Sequence, residues 1–253
     1  MKKIINWMLE PDPYTKRGET ELHAIIHNIM SNDDYHKFNS KYDRIKKLEQ
    51  AEKVIGKRIA GNVLDIGCGN GYASIFLAKN RPIDVVHSME CNYPAVDSLV
   101  RNNFAQARID DSKYDLVLGS FNDIKMKRFY NYVISLGTLH HSSNLLKTVS
   151  EIYSSLQYGG YLIAHEPYMS NFTSNQTYLQ KDKTSKKVQG LVDWKESNRD
   201  DHFFRECEWF TAFHHAGFNI MSFEGENMDD DILNAIIVLQ KPHAELEYIP
   251  HKW

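Results

Sequence analysis

Apolar residues change period along this chain, and the change divides it. Up to about residue 58 they recur at helical spacing. Leu22, Ile25, Ile26 and Ile29 lie on one side of Glu19–Met30, and Tyr35, Phe38, Tyr42, Ile45 and Leu48 on one side of a segment from Asp33 to Ile55. Pro11 and Pro13 predict an irregular first dozen residues. From Gly61 onward short apolar runs alternate with amphipathic stretches. Strands are predicted at Val63–Ile66, Ile83–Met89, Tyr114–Gly119, Tyr132–Leu136 and Tyr161–Ala164, with a closing pair at Phe218–Phe223 and Ile232–Leu239.

Between them lie helices. One follows Gly71. Another opens at Asn92 and Pro94 and runs to about Phe104. A third is capped by Ser142 or Ser143, carries Leu145, Val149, Ile152 and Leu156 inward, and is expected to end at Gly159-Gly160. A fourth spans Glu206–Ala216 and stops at Gly217. Strands separated by helices imply an α/β fold, Rossmann-like and doubly wound, with a mostly parallel sheet and helices on both faces. The expected organisation is an N-terminal helical cap over 1–58, a ligand-binding domain over 59–240 with an insertion at 168–206, and a tail over 241–253. Loops as long as 168–206 usually carry function, and a helical cap beside a ligand site could close over it.

The bulk properties narrow the function only by exclusion. The chain has 253 residues, 42% hydrophobic and 25% charged, with a formal net charge of −3. That charge argues against nucleic acid as a partner. No run reaches the ~20 apolar residues of a membrane span. The apolar stretch after Lys2 and Lys3 is too short for a signal peptide and stops at Glu10, so a cytoplasmic location is expected. Cys68, Cys91 and Cys207 are odd in number and far apart, which suggests neither a disulfide framework nor a zinc site.

The chemistry centres on Val63-Leu64-Asp65-Ile66-Gly67-Cys68-Gly69-Asn70-Gly71. A strand, a glycine turn and a helix start form a ligand-binding corner in open α/β sheets. A dinucleotide site wants Gly-x-Gly-x-x-Gly; here Tyr72 takes the third glycine's place and Asp65 precedes the first. This stretch resembles motif I of the class I S-adenosylmethionine-dependent methyltransferases. Other landmarks resemble that superfamily in order: Glu90 closing the second strand, Leu118-Gly119-Ser120-Phe121 after the third, Leu136-Gly137-Thr138-Leu139-His140-His141 after the fourth, and His165-Glu166-Pro167 after the fifth.

The resemblance covers about Gly61 to Gln240. It implies seven strands in the order 3-2-1-4-5-7-6, the last-formed antiparallel. It implies S-adenosylmethionine as cofactor, held by Asp65, Gly67, Cys68, Gly69, Gly71, Glu90, Ser120, Phe121 and Leu136, with S-adenosylhomocysteine as product. Asp65 would hold the methionine amino group and Glu90 the ribose hydroxyls. Ser120 stands where an adenine-binding aspartate is usual, and Asn122 or Asp123 could substitute. His140 matches by position the catalytic histidine of some small-molecule O-methyltransferases. His141 and Glu166 are further catalytic candidates, Glu166 as base, acceptor contact or cap. By strand alternation His165 points to the opposite layer.

On the acceptor side, Tyr168 to Glu206 is polar with Phe172, Tyr178 and Trp194 interleaved, which suits a sugar or another small polar acceptor. His202 and Arg205 are candidate acceptor contacts. Asp200, Asp201 and His202 could hold a divalent ion, but so local a cluster is weak evidence and no metal is expected. The expected activity is methyl transfer to a hydroxyl of a small molecule, by a monomer or homodimer. N-methylation, a non-catalytic binding module, a nucleic-acid or protein methyltransferase and an NAD-dependent oxidoreductase are the rivals.

Overall fold

The computed structural model describes residues 2–8, 43–142, 144–174, 176, 203–226 and 232–244. In chain order the elements are β1 (Ile4–Asn6), α1 (Arg44–Ile55), β2 (Gly61–Ile66), α2 (Tyr72–Asn80), β3 (Ile83–Glu90), α3 (Arg101–Ala107, entered through a π turn over Ala95–Val100), β4 (Tyr114–Leu118), β5 (Tyr130–Leu136), α4 (Leu145–Ser155), β6 (Leu156–Met169), α5 (Glu206–Ala216), β7 (Asn219–Glu226) and β8 (Ile232–Gln240).

The sheet has eight strands in the order β1-β4-β3-β2-β5-β6-β8-β7, which corrects the expected seven. The added strand is β1, in the dozen residues expected to be irregular. Pro11 and Pro13 lie beyond it and leave Ile4 and Ile5, two β-branched residues, able to pair with the open edge of β4. Without β1, the remaining strands stand in the order the resemblance implies. β1 through β6 run parallel, and β8 is antiparallel to both β6 and β7.

Side-chain alternation along the parallel strands builds a layer on each face. On one face Leu64, Ile66, Met89, Val117, Val133 and Leu162 pack against Val149 and Ile152 of α4 and Trp209 and Phe213 of α5. On the other, Val63, Val86, Leu116, Ile134 and Ile163 pack against Leu48 and Ala51 of α1, Ala73 and Leu77 of α2, and Val96, Val100 and Phe104 around α3. The described part of 1–58 is therefore built into the sheet and one of its layers. The helical pattern over 19–30, the first half of that over 33–55, and the tail beyond residue 244 lie outside the described residues.

Two boundaries differ from expectation for physical reasons. The N-cap of α4 is Asn144, whose side chain accepts the Lys147 N–H at 3.0 Å; Ser142 instead shares a 2.7 Å hydrogen bond with Thr148. At its other end α4 stops at Ser155, four residues before the glycines. Its last carbonyls are met from outside. The N–H groups of Arg128 and Phe129 donate to Ser154 O and Ser155 O, and the buried Lys241 ammonium donates to Tyr153 O and Leu156 O at 2.9 Å. With those acceptors satisfied no glycine cap is required, and Gly159-Gly160 fall inside β6.

Candidate active site at the carboxyl edge of the sheet

The carboxyl ends of β2 to β6 converge on one edge, and the glycine corner sits at its centre. Gly67, Gly69 and Gly71 have φ of 59°, 58° and 79°, the left-handed region where L side chains are strained. Space is a second constraint at Gly67, where a Cβ would come 2.3 Å from Thr138 Cγ2. Gly71 is the N-cap of α2. Cys68 N–H donates to Met89 O at 3.0 Å, tying the corner to β3. The Cys68 side chain is buried, and burial pushes its thiol up, so it stays neutral.

Asp65 shares the face of β2 that looks at α2, and Ser74 Oγ donates to its Oδ2 at 2.6 Å. Only 2% of Asp65 is exposed. Burial raises its carboxyl to about 6, against the lowering effect of Ser74 and of the Arg44 guanidinium. Arg44, the first residue of α1, also reaches Gly137: a Cβ there would meet its terminal nitrogen at 2.9 Å. A cation and a buried carboxylate thus stand together beside the glycines.

Helix α1 is pinned from both ends. The Lys47 ammonium pairs with Glu226 on β7, whose other oxygen lies 3.3 Å from His165 Nε2. Farther along, Arg81 donates to both oxygens of Glu52 at 2.6 and 2.9 Å. Local sequence reading missed Arg44, because its neighbours belong to β2 and the loop after β5. Its position on the polar side of an amphipathic helix gave no hint of them.

Glu90 ends β3 with its carboxylate turned back on the corner. It accepts the Gly69 N–H at 3.3 Å and the Cys91 N–H at 2.9 Å. In the turn after β4, Ser120 Oγ accepts the Asn122 N–H at 3.2 Å, and Phe121 packs against the layer of α4 and α5. The residues that could replace an adenine-binding aspartate are turned elsewhere. Asn122 Oδ1 accepts the Thr148 hydroxyl at 2.6 Å, and Asp123 pairs with Lys125.

Leu136, buried, ends β5, and a 3-10 turn over Leu139–His141 follows. That turn is gathered around Glu166 of β6, which is 0% exposed. Glu166 Oε1 accepts from Ser135 Oγ at 2.7 Å and from the Thr138 and Leu139 N–H groups at 2.9 Å. Its Oε2 lies 3.3 Å from the donating His140 N–H and 2.8 Å from His140 Nδ1. Burial alone would raise this carboxyl. The His140 imidazole and the turn's N–H groups outweigh burial and hold it at about 2. Both oxygens of Glu166 are thus engaged within the protein, by Ser135, the turn's N–H groups and His140.

A carboxylate only accepts, so His140 Nδ1 carries the shared proton. His141 is exposed, with its ring 4.1 Å from that of His140. His165 faces the opposite layer, as alternation requires, and burial lowers its pKa.

Arg205 is not brought to this edge as an open cation. Its Nη1 donates to Thr173 O at 2.8 Å and Ser170 O at 3.2 Å, fastening the start of the long loop to α5. Asp200, Asp201 and His202 lie outside the described residues. No group of ligating side chains that could hold a metal occurs among the described residues, and none of their helices is long and apolar enough to cross a membrane. A separate cavity of about 420 Å³, lined by Lys57, Arg58, Tyr132 and Tyr161 among others, lies at the opposite, amino-terminal edge of the sheet, away from this chemistry.

A mostly parallel sheet with this order, a glycine corner preceded by a buried aspartate, and a carboxylate closing the next strand define a doubly wound, Rossmann-like α/β domain with a ligand corner at its carboxyl edge. Residues 29–222 match the model of the methyltransferase domain family, and the chain belongs to that family. The matched region takes in the glycine corner, Glu90 and the turn after β5. Over 101 residues the chain is 24% identical to malonyl-[acyl-carrier protein] O-methyltransferase of Priestia megaterium, a match that spans 40% of this chain and 35% of that protein. The fold resembles geranyl diphosphate C-methyltransferase from Streptomyces coelicolor A3(2), with a TM-score of 0.62 at 13% identity over 86% of this chain and 89% of that one. It also resembles phosphoethanolamine N-methyltransferase 2 from Haemonchus contortus, with a TM-score of 0.59 at 16% identity, over 78% and 52% of the two chains. At such identities the likeness is one of fold. These relatives methylate oxygen, carbon and nitrogen between them, so they leave the acceptor of this chain open.

Proposed function

We propose that this methyltransferase acts on a hydroxyl of a small polar molecule, with His140 as the general base. The observation that carries the reading is the Glu166–His140 pair. Glu166, held ionised, accepts a hydrogen bond from His140 Nδ1–H and so assigns Nε2 the proton-accepting role, at the edge where strands β5 and β6 end. An imidazole whose Nδ1 is fixed by a carboxylate is suited to taking a hydroxyl proton at Nε2.

The residues of the corner suit the methyl donor. Asp65 offers a buried carboxylate to an ammonium group, and Arg44 a cation to a carboxylate. Glu90 offers acceptor oxygens to vicinal hydroxyls. The glycines with Cys68 supply the close backbone, and Ser120, Phe121 and Leu136 border the remaining space. When bound, S-adenosylmethionine supplies a methyl group already activated on a sulfonium. The chain's own part is to align the acceptor, exclude water and remove one proton. Glu166 fixes the orientation of His140 without touching the acceptor. His141, its ring tilted against that of His140, borders the same space. The sequence between Tyr168 and Glu206, His202 included, is assigned to the acceptor by its composition alone, and Arg205 holds the base of that loop.

A sugar or glycan precursor is the favoured acceptor class, on the polar, aromatic-studded composition of that loop. The reaction takes place in the cytoplasm, on a small molecule rather than nucleic acid, without a metal. The test is incubation of purified protein with methyl-labelled donor and a metabolite extract, read by mass spectrometry. A labelled O-methyl product supports the reading. Label found only on nitrogen would replace it with N-methylation, and a bound donor never converted would make the chain a binding module.

A further inference from the structure

Strand β1 brings residues 7 and 8 to the carboxyl edge of the sheet. The register of β1 on β4 pairs Ile4 with Leu116, Ile5 with Val117 and Asn6 with Leu118, and Trp7 N–H continues the ladder to Leu118 O at 2.9 Å. Trp7 and Met8 therefore run beside Gly119 and Ser120, past the carboxyl end of β4. The approach is close: a Cβ on Gly119 would lie 3.3 Å from Trp7 Cε3 and 3.1 Å from Met89 Sδ.

The two side chains part to opposite faces, as a strand requires. Trp7 is 8% exposed and packs edge-on against His87, with ring centroids 6.0 Å apart. Met8 goes the other way. It is half-buried against the layer that contains Cys68, Val96 and Leu118, and its N–H is turned onto Asn6 Oδ1 at 2.8 Å. The segment is held here by its own contacts. Lys2 pairs with Asp115 at 3.1 Å, and the Arg101 guanidinium donates to Lys2 O.

Across from it, Asn122 and Asp123 are engaged with Thr148 and Lys125. The loop after β4 thus directs neither of these side chains to a purine. We propose that Met8 forms an apolar wall of the purine subsite, so that the first residues of the chain bind the adenosine end of the methyl donor. Shape and apolar contact from Met8 hold the ring face, with Ser120 the polar group beside it. A flexible thioether suits a flat aromatic ring, since it adapts to the surface and the sulfur is polarisable. This inference rests on the methyl-donor reading of the corner.

The experiment is calorimetry of the full chain with S-adenosylhomocysteine and, by competition, with adenosine, which keeps the purine and lacks the amino-acid end. In Met8→Glu both affinities should fall by the same factor, about tenfold or more. Met8→Leu should bind within about twofold of wild type, and Met8→Ser serves if the glutamate loosens the edge strand. Wild-type binding of both ligands in Met8→Glu and Met8→Ser would overturn the proposal while leaving the methyl-donor reading intact. A loss confined to S-adenosylhomocysteine, with adenosine unaffected, would also overturn it by placing Met8 away from the purine. No binding of S-adenosylhomocysteine by wild type would remove both readings together.

Discussion

His140 Nδ1 lies 2.8 Å from Glu166 Oε2, inside a turn whose backbone N–H groups point at the same carboxylate. The position of the candidate base and the stability of the loop that carries it thus rest on one buried anion. Replacing it with glutamine keeps the shape but presents an NH₂ group to donors. Glu166→Gln should cost on the order of 3 kcal/mol of folding stability, read as a lower urea midpoint at unchanged slope.

The same carboxylate gives a sign to the acid response. Its folded value of about 2 lies below the ordinary 4.5, so its stabilising contribution is present above 4.5 and is lost as pH falls toward 2. Asp65 acts oppositely. Its folded value is raised to about 6, so its ionisation weighs against the folded state as pH rises from about 4 to 6. Urea titrations of Glu166→Gln should lose the first dependence, and those of Asp65→Asn the second.

Ligand binding should follow Asp65 as well. If the donor's ammonium requires the ionised carboxylate, S-adenosylhomocysteine should bind about tenfold more weakly at pH 5 than at pH 7, from the fraction protonated around 6. Asp65→Asn should bind more weakly at pH 7 and lose that pH dependence. Calorimetry at the two pH values, with a control for ligand ionisation, decides it.

The sheet order beyond β1, the glycine corner and the run from Leu136 to His141 were legible because each is local: a period, a turn that only glycine allows, a residue closing a strand. Less legible were features made by distant segments. β1 is three residues long, and its pairing with β4 leaves no periodic trace. The end of α4 departs from the glycine signal because Lys241, far along the chain, meets its last carbonyls. Glu166 reads alone as base, acceptor contact or cap, and its partners come from the loop after β5, some 26 to 31 residues away in sequence. Arg44 enters the site through the packing of a whole helix, held by Lys47 on Glu226 and by Glu52 on Arg81.

Arg44 yields a further expectation. If its guanidinium meets the carboxylate of the donor's amino-acid end, Arg44→Met should weaken S-adenosylhomocysteine about tenfold or more and leave adenosine unchanged. Equal losses for both ligands would assign it a structural role instead.

At Gly67 the backbone and Thr138 both exclude a side chain. Gly67→Ala should destabilise the fold by roughly 1–3 kcal/mol and weaken donor binding more than Gly56→Ala. Gly56 also has positive φ, but a Cβ there would meet nothing within 4 Å. Paired thermal melts with and without S-adenosylhomocysteine separate the two effects.

The central claim is that His140 removes the acceptor's proton, and single-turnover methyl transfer tests it most directly, once the labelled product is known. His140→Ala should bind S-adenosylmethionine as wild type does while the transfer rate falls about 10²-fold or more, with the loss shrinking as pH rises toward ionisation of the acceptor hydroxyl. A His140→Ala enzyme that transfers the methyl group at the wild-type rate at neutral pH would contradict it.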